Sequence, residues 1–582
     1  MSTTFTLAPV DWAIIGAYFV ISLLIGLYYS RRGGRNVGEF FLSGRSLPWW
    51  LAGTSMVATT FAADTPLAVA GLVARNGIGG NWIWWSAAFG SMMTVFFFAR
   101  LWRRAGILTD VEFAELRYAG RPAAFLRGFR ALYLGLPINC VIIGWVNLAM
   151  AKILAVTLGW DRLTAVFASL VITAFYSALS GLWGVVVTDF FQFVFAMTGT
   201  VALAWFALHL PQVGGIAGLR AHLPAETFDF LPRLSSAPGA TPLALPLAAF
   251  LSYVGVQWWA SWYPGQEPGG GGYIAQRMMS AKDERHSFLA TLWFTIAHYC
   301  VRPWPWILVG LASLVLYPGL ADKESGYVMV MRDFLPAGWR GLLLAAFFAA
   351  YMSTISTQLN WGTSYIVNDC YRRFVRTDAG EHHYVWVSRV ATILVMLASA
   401  AVTFYLESIR QAWEFVLQSG AGIGLVLILR WYWWRVNAWS EIAAMIAPAL
   451  GFAALRLFTT VEFPATLLYL VAWTTVCWLA VTWLTPPEPD AHLLAFYRRV
   501  KPDGPGWRRI AALAGDTAVR PLGGLLFDWA AGCVLVYATL FGVGTIILDS
   551  VWRAWPYALA AIAAVIVITR DLSRRGWQSI TG

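Results

Sequence analysis

The sequence predicts an all-α polytopic membrane protein of about fifteen spans. Three observations carry the prediction. Of 582 residues, 59% are hydrophobic and 12% charged, and the mean hydropathy is +0.62, which excludes an ordinary soluble enzyme. Apolar runs of roughly 20 residues or more recur along the whole chain. Arginine and lysine clusters fall in alternate connecting loops, as membrane topology requires.

The apolar runs lie near residues 10–30, 49–75, 80–101, 126–157, 162–181, 183–209, 244–263, 287–317, 341–371, 384–405, 411–432, 438–457, 462–484, 521–547 and 552–569. The first, Val10–Tyr29, is too long for the apolar core of a signal peptide and lacks an A-x-A-like cleavage site, so it reads as a retained span. The 33 Trp and 22 Tyr suit anchoring at the two interfaces. Arg31, Arg32, Arg35 and Arg45 follow the first run, and Arg103, Arg104, Arg117, Arg121, Arg127 and Arg130 the third. Arg277, Lys282 and Arg285 follow the seventh, Arg372, Arg373 and Arg376 the ninth, and Arg498, Arg499, Lys501, Arg508 and Arg509 the thirteenth. Arg574 and Arg575 close the chain. All share one side if the N-terminus is outside and the C-terminus cytoplasmic, whereas the alternate loops carry only Arg75, Arg162, Arg410 and Arg553. The net charge of +11 therefore reports topology, and no nucleic-acid partner is expected. The five cysteines lie in or beside apolar runs with no CxxC, against a disulfide framework or a zinc site.

Two runs are interrupted. The second contains Thr54, Ser55, Thr59, Thr60, Asp64, Thr65 and Pro66, and a proline directly after a membrane-embedded acid argues for a broken helix. The seventh ends in Trp262–Tyr273, WYPGQEPGGGGY, where helix is disfavoured. Each opens a block of five runs. An odd-numbered block repeated once must be inverted in the membrane, and paired broken helices point to a secondary-transporter site at the repeat interface. The repeat rests on topology alone. The expected organisation is an N-terminal extra span and loop (1–48), a first five-helix repeat (49–209) and an outer loop (210–243). A second, inverted repeat (244–437), accessory spans (438–484), a polar cytoplasmic segment with a short amphipathic helix (485–520) and C-terminal spans (521–582) follow.

Within the ninth run, Ser353, Thr357, Asn360, Ser364 and Asn368 form one polar stripe on a helix advancing about 100° per residue. Such hydroxyls either bond their own carbonyls and let helices pack closely, or offer the several oxygens a hard cation such as Na⁺ prefers. Asp189 either caps the sixth run or pairs with an arginine; an ionisable group inside a span calls for a partner cation. Asp64, Thr65, Asn81, Asn139, Gln257, His298, Arg302 and Gln418 are polar groups able to face a central vestibule. Arg302 is expected either to pair with Asp64 or Glu414 or to meet an anionic solute. His298 is read foremost as a packing residue.

These features resemble the sodium:solute symporter family, which includes sodium–sugar, sodium–proline and sodium–sialic acid carriers. The resemblance rests on Phe41–Trp50 (FLSGRSLPWW), Gly181–Gln192 (GLWGVVVTDFFQ), Tyr273–Arg277 (YIAQR) and Ala349–Thr354 (AAYMST), over roughly residues 8–460. It implies a LeuT-like 5+5 inverted-repeat fold with one extra N-terminal span and several C-terminal ones. Carried over residue by residue, it implies a sodium site of the Ala58, Phe61 and Ala350 carbonyls with the Ser353 and Thr354 hydroxyls. A second sodium, as in some relatives, falls on Asp189, Ser353, Ser356 and Thr357, and Tyr273 matches a tyrosine that acts as a thin inner gate. The chain departs from the sugar carriers in the Pro264–Gly272 insertion and in the basic, aromatic stretch Leu429–Arg435, which leaves the solute open.

The expectation is a sodium-coupled importer of a small polar solute, multi-pass in a bacterial inner (plasma) membrane, with no obligate protein partner. The alternatives are proton coupling through Asp64, Asp189 or His298, and a non-transporting sensor. No GxSxG elbow, His-rich cluster or paired-carboxylate site suggests an enzyme.

Overall fold

The computed structural model describes residues 6–33, 42–107, 109–177, 182–235, 245–263, 265–516 and 519–574. Phe41, Gly181, Pro264, Arg35 and Arg575, singled out above, lie outside them. Among the described residues ten helices are long and apolar enough to cross a bilayer, or eleven if one sharply bent pair counts as a span. The chain is thus a multi-pass membrane protein. Fewer helices qualify than the fifteen runs because several runs carry short apolar helices, such as Arg162–Thr173 and Ile423–Tyr432.

The principal helices are α1 (Pro9–Gly33), α2 (Trp49–Thr59), α3 (Asp64–Asn76), α4 (Ile78–Ala105), α5 (Gly120–Leu158), α6 (Arg162–Ser177) and α7 (Leu182–Leu208). Next come α8 (residues 247–260), α9 (Gly272–Ser280), α10 (Glu284–Leu316), α11 (Trp339–Val375) and α12 (Glu381–Tyr405). The remainder are α13 (Ile409–Ser419), α14 (Ile423–Tyr432), α15 (Ala438–Phe458), α16 (Ala465–Leu484), α17 (Asp490–Val500), α18 (Gly523–Leu548) and α19 (Trp555–Arg574). In the middle, α2 packs on α7 and on the first half of α10, while α3 packs on the second half of α10. Helix α11 lies against α7, α5 and α12.

The second run is broken, as its sequence predicts: α2 and α3 meet at 62° across Thr60–Ala63. Pro66 sits in the first turn of α3, where its missing N–H leaves no bond unmade. The seventh run leaves helix after Ala260 and regains it at Gly272. Gly265, with φ +77°, is required there, because a Cβ would lie 2.2 Å from the Tyr273 hydroxyl.

A third break, in the eleventh run, is a departure from expectation. Residues 420–422 separate α13 from α14 and pair with the unwound end of α8. Trp262 N–H donates to Gly420 O at 3.1 Å and Gly422 N–H to Ala260 O at 2.8 Å, so Ser261 and Ala421 form an antiparallel bridge. The backbone groups freed by one break satisfy those freed by the other.

Helix α1 flanks α7 and α11 and pins the start of α11. Asp11 Oδ1 accepts from the Gly338 and Gly341 N–H groups at 2.7 and 2.8 Å, a carboxylate on the positive end of the helix dipole. The polar segment expected at 485–520 holds α17 and a short helix, Arg508–Leu513. It is pinned by the Arg100–Asp503 ion pair and by Trp507 Nε1 donating to Trp431 O at 2.7 Å.

Candidate functional site

The break in α2/α3 leaves the carbonyls that close α2 to be satisfied from outside the helix. Val57 O accepts from Thr60 Oγ1 at 2.9 Å and from Arg302 Nη1 at 3.2 Å. Ala58 O accepts the Phe61 N–H at 2.9 Å. Arg302 also donates to Thr60 Oγ1 at 3.1 Å and lies 3.3 Å from His298 Nε2. The guanidinium thus clamps the C-terminal end of a half-helix, where a cation is favoured. It is hydrogen-bonded to neither Asp64 nor Glu414; Glu414 accepts from Arg410 at 2.7 Å.

Between the breaks lies a cavity of about 90 Å³. Asp64, Thr65, Gln257, Tyr273, His298 and Arg302 all line it, together with Thr59, Thr60, Gln266, Thr354 and Gln358. The His298 ring nitrogens lie 3.1 Å from Thr60 Oγ1 and 3.2 Å from Gln266 Nε2, the bonds to neighbouring segments that a packing histidine makes, on the wall of the cavity. Gln257 Oε1 and Gln358 Oε1 are buried without a hydrogen-bond partner, and the Asp64 carboxyl lies beside the Trp413 indole N–H. The indole of Trp145 stacks on the Tyr263 ring at 6.2 Å and 7°. Three vestibule candidates lie elsewhere. Asn81 accepts from Trp84 Nε1 at 2.8 Å, Asn139 donates to Gln358 O at 2.9 Å, and Gln418 accepts from Thr466 Oγ1 at 3.0 Å.

Below Tyr273 sits Asp189, fully buried. Its oxygens accept from Ser55 at 2.6 Å on α2 and Ser353 at 2.7 Å on α11, with Thr59 at 3.4 Å. One carboxylate on α7 thereby ties the broken helix to the hydroxyl stripe. The Arg277 guanidinium stands 4.0 Å away and donates to Ser55 and Thr59, answering the need for a cation with a side chain. Ser356 Oγ donates to Ser353 O at 3.1 Å and Thr357 is buried nearby. Thr354 differs from its neighbours: its hydroxyl is buried, has no partner, and faces the cavity beside Thr59 and Thr60. Ala58, Phe61 and Ala350 are likewise buried, Phe61 against Trp306 at 5.1 Å. The stripe is continuous only in its first half, for Asn360 is exposed and the helix widens from Tyr365.

The model of the sodium:solute symporter family matches residues 40–448. The chain belongs to the sodium:solute symporter family. Among curated proteins it is similar to a sodium/glucose cotransporter of Vibrio parahaemolyticus, 26% identical over 79% of this chain and 87% of that one. It is also similar to sodium/glucose cotransporter 4 of Danio rerio, 26% identical over 84% and 81%. A sodium/mannose cotransporter of Bos taurus is 26% identical over 79% and 80%. Among solved structures, a substrate-bound, outward-open Na⁺-coupled sialic acid symporter aligns with a TM-score of 0.66 at 17% identity. That alignment covers 83% of this chain and 99% of the symporter, and it establishes a shared fold. Family membership makes the chain a transmembrane sodium-transport protein whose relatives are carriers.

Proposed function

We propose that this symporter-family chain couples inward sodium flow to import of a small, neutral, hydroxyl-rich solute by alternating access. The observation that carries the reading is the cavity at the broken helices, where Thr354 presents an unpartnered hydroxyl beside Thr59 and Thr60. Sodium is cargo, held by the Ala58, Phe61 and Ala350 carbonyls with Ser353 and Thr354. Sodium there joins α2 to α11 and favours the conformation that accepts solute. The proposed frame is the 5+5 inverted repeat, residues 49–209 and 244–437, with the N-terminus outside and the C-terminus cytoplasmic in a bacterial inner membrane.

Three features favour a neutral solute. Arg302 Nη1 is engaged by the α2 terminus and Nη2 lies beside His298 Nε2, so only Nε is vacant and the guanidinium cannot grip a carboxylate with two donors. Gln257 and Gln358 each offer a vacant amide acceptor, suited to a hydroxyl donor. The relatives described above are glucose and mannose cotransporters. Of the insertion that departs from the sugar carriers, only Gln266 lines the cavity among the described residues.

A thermal-shift screen of purified protein against neutral sugars, amino acids and carboxylates tests this, since a ligand stabilises the state it binds. Neutral sugars are expected to raise the melting temperature in sodium and far less in potassium. Stabilisation by a carboxylate alone would overturn the solute class. Uptake driven by a pH gradient with no need for sodium would favour the proton reading.

Arg277 bears on stoichiometry. Its fixed charge occupies the neighbourhood in which a second sodium at Asp189, Ser353, Ser356 and Thr357 would sit. We therefore expect one sodium per cycle, with hyperbolic sodium dependence of uptake. A strongly sigmoidal curve would restore the second site.

A further inference from the structure

Among the helices that line the cavity, α3, α5 and α13 meet at one buried carboxylate outside the site already described. Glu324 lies in the turn Lys323–Ser325 between α10 and α11 and is fully buried. It accepts from Lys152 Nζ of α5 at 2.6 Å and from the Ile409 and Arg410 N–H groups, both at 3.3 Å, at the start of α13. Arg75 of α3 approaches to 4.0 Å. A Cβ on Gly71 of α3 would lie 3.1 Å from Glu324 Cγ, so α3 passes close beside it.

Each of these helices also contributes to the cavity wall. Trp145 of α5 lies seven residues from Lys152, Asp64 of α3 seven from Gly71, and Leu417 of α13 seven from Arg410. Other lining residues stand nearer, Val146 to Lys152, Thr65 to Gly71 and Trp413 to Arg410, so Glu324 sits about one to two helical turns beyond the cavity on all three. Helix α10, which brings His298 and Arg302 to the cavity, ends at Leu316, and residues 317–322 connect it to the turn that carries Glu324. The opposite end of the cavity is the Tyr273 and Asp189 end.

We infer that Glu324 is the positioning residue that closes the outer end of the solute path. Its bonds to Lys152 and to the α13 terminus tie α5 to α13 with α3 packed beside them, and solute enters only when they part. Charge-assisted bonds in a buried place are strong when made and costly to leave half-made, which suits a contact that exists in one conformation and is hydrated in the other. The inference rests on the transport reading above and assigns that path an outer closure.

The test places a single cysteine at Leu417 (Leu417→Cys) in a full-length chain whose five native cysteines are replaced, and follows its labelling by a membrane-impermeant maleimide. Intact cells report the outer face and inside-out vesicles the inner one. Glu324→Gln is expected to raise outer labelling about tenfold, within the range of ordinary coupling, to slow inner labelling, and to abolish the increase sodium causes. Lys152→Met, at the rim of the cluster, is expected to shift labelling the same way by a smaller factor. It carries the test if Glu324→Gln does not fold. Unchanged labelling in a folded variant, or faster labelling from both faces, overturns the inference. If instead labelling shifts as expected but the unmodified chain shows no sodium-driven uptake, the transport reading fails and the closure stands.

Discussion

Sodium dependence should collapse in the Ser353→Ala/Thr354→Ala variant while the protein still folds. The two hydroxyls are not equivalent. Ser353 donates to Asp189 at 2.7 Å, a carboxylate that keeps Ser55 and Thr59 when Ser353 is lost. Thr354 has no partner to lose. A hydrogen-bond-strength contact to a charged group contributes about 1.5–3 kcal/mol, and about 1.4 kcal/mol is a decade of affinity. Thr354→Ala alone should therefore weaken sodium binding by roughly tenfold to a hundredfold. Ser353→Ala should weaken it less, and the double variant should respond little to sodium in thermal shift or uptake. Wild-type sodium affinity in the folded double variant would remove these residues from the site.

Asp64→Asn is expected to strike the solute instead. The carboxyl opens α3 and is buried in the cavity wall beside the Trp413 indole. The exchange preserves volume and removes a charged acceptor, so the fold should survive. Solute affinity should fall about tenfold to a hundredfold, by the strength of a charge-assisted bond, with sodium binding in the absence of solute nearly unchanged. Isothermal titration separates the two. An unaltered solute affinity would exclude Asp64 from contact, and a parallel loss of sodium affinity would place it in the ion site.

Much of this architecture was legible in the residues. The break at Thr60–Ala63 was announced by hydroxyls and an acid ahead of Pro66, and the unwound end of α8 by its run of glycines, because both signals act on the local backbone. Family membership was legible in four short motifs whose order and spacing match. The break between α13 and α14 was not foreseen, although Gly420, Gly422 and Gly424 stood at alternate positions. Glycine is common in membrane helices, and only the partner segment at Ser261 makes an extended stretch possible there. Arg302 and Gln418 illustrate the same limit. A polar side chain inside an apolar run needs a partner, but sequence spacing does not say whether that is the α2 terminus, a threonine on α16 or a solute. Thr354 could not be told from the hydroxyls around it until its neighbours were found bonded.

The pairing of Ser261 with Ala421 has a mechanical consequence. Two discontinuities that look separate along the chain are stitched edge to edge by a pair of backbone bonds, each contributing about 0.5–1.5 kcal/mol. Neither can swing alone without tearing that seam and burying bare amides. The wall bearing Trp413 and Leu417 must then travel as one jointed plate with the segment bearing Tyr263 and Gln266, so tilting either one reshapes both sides of the chamber at once.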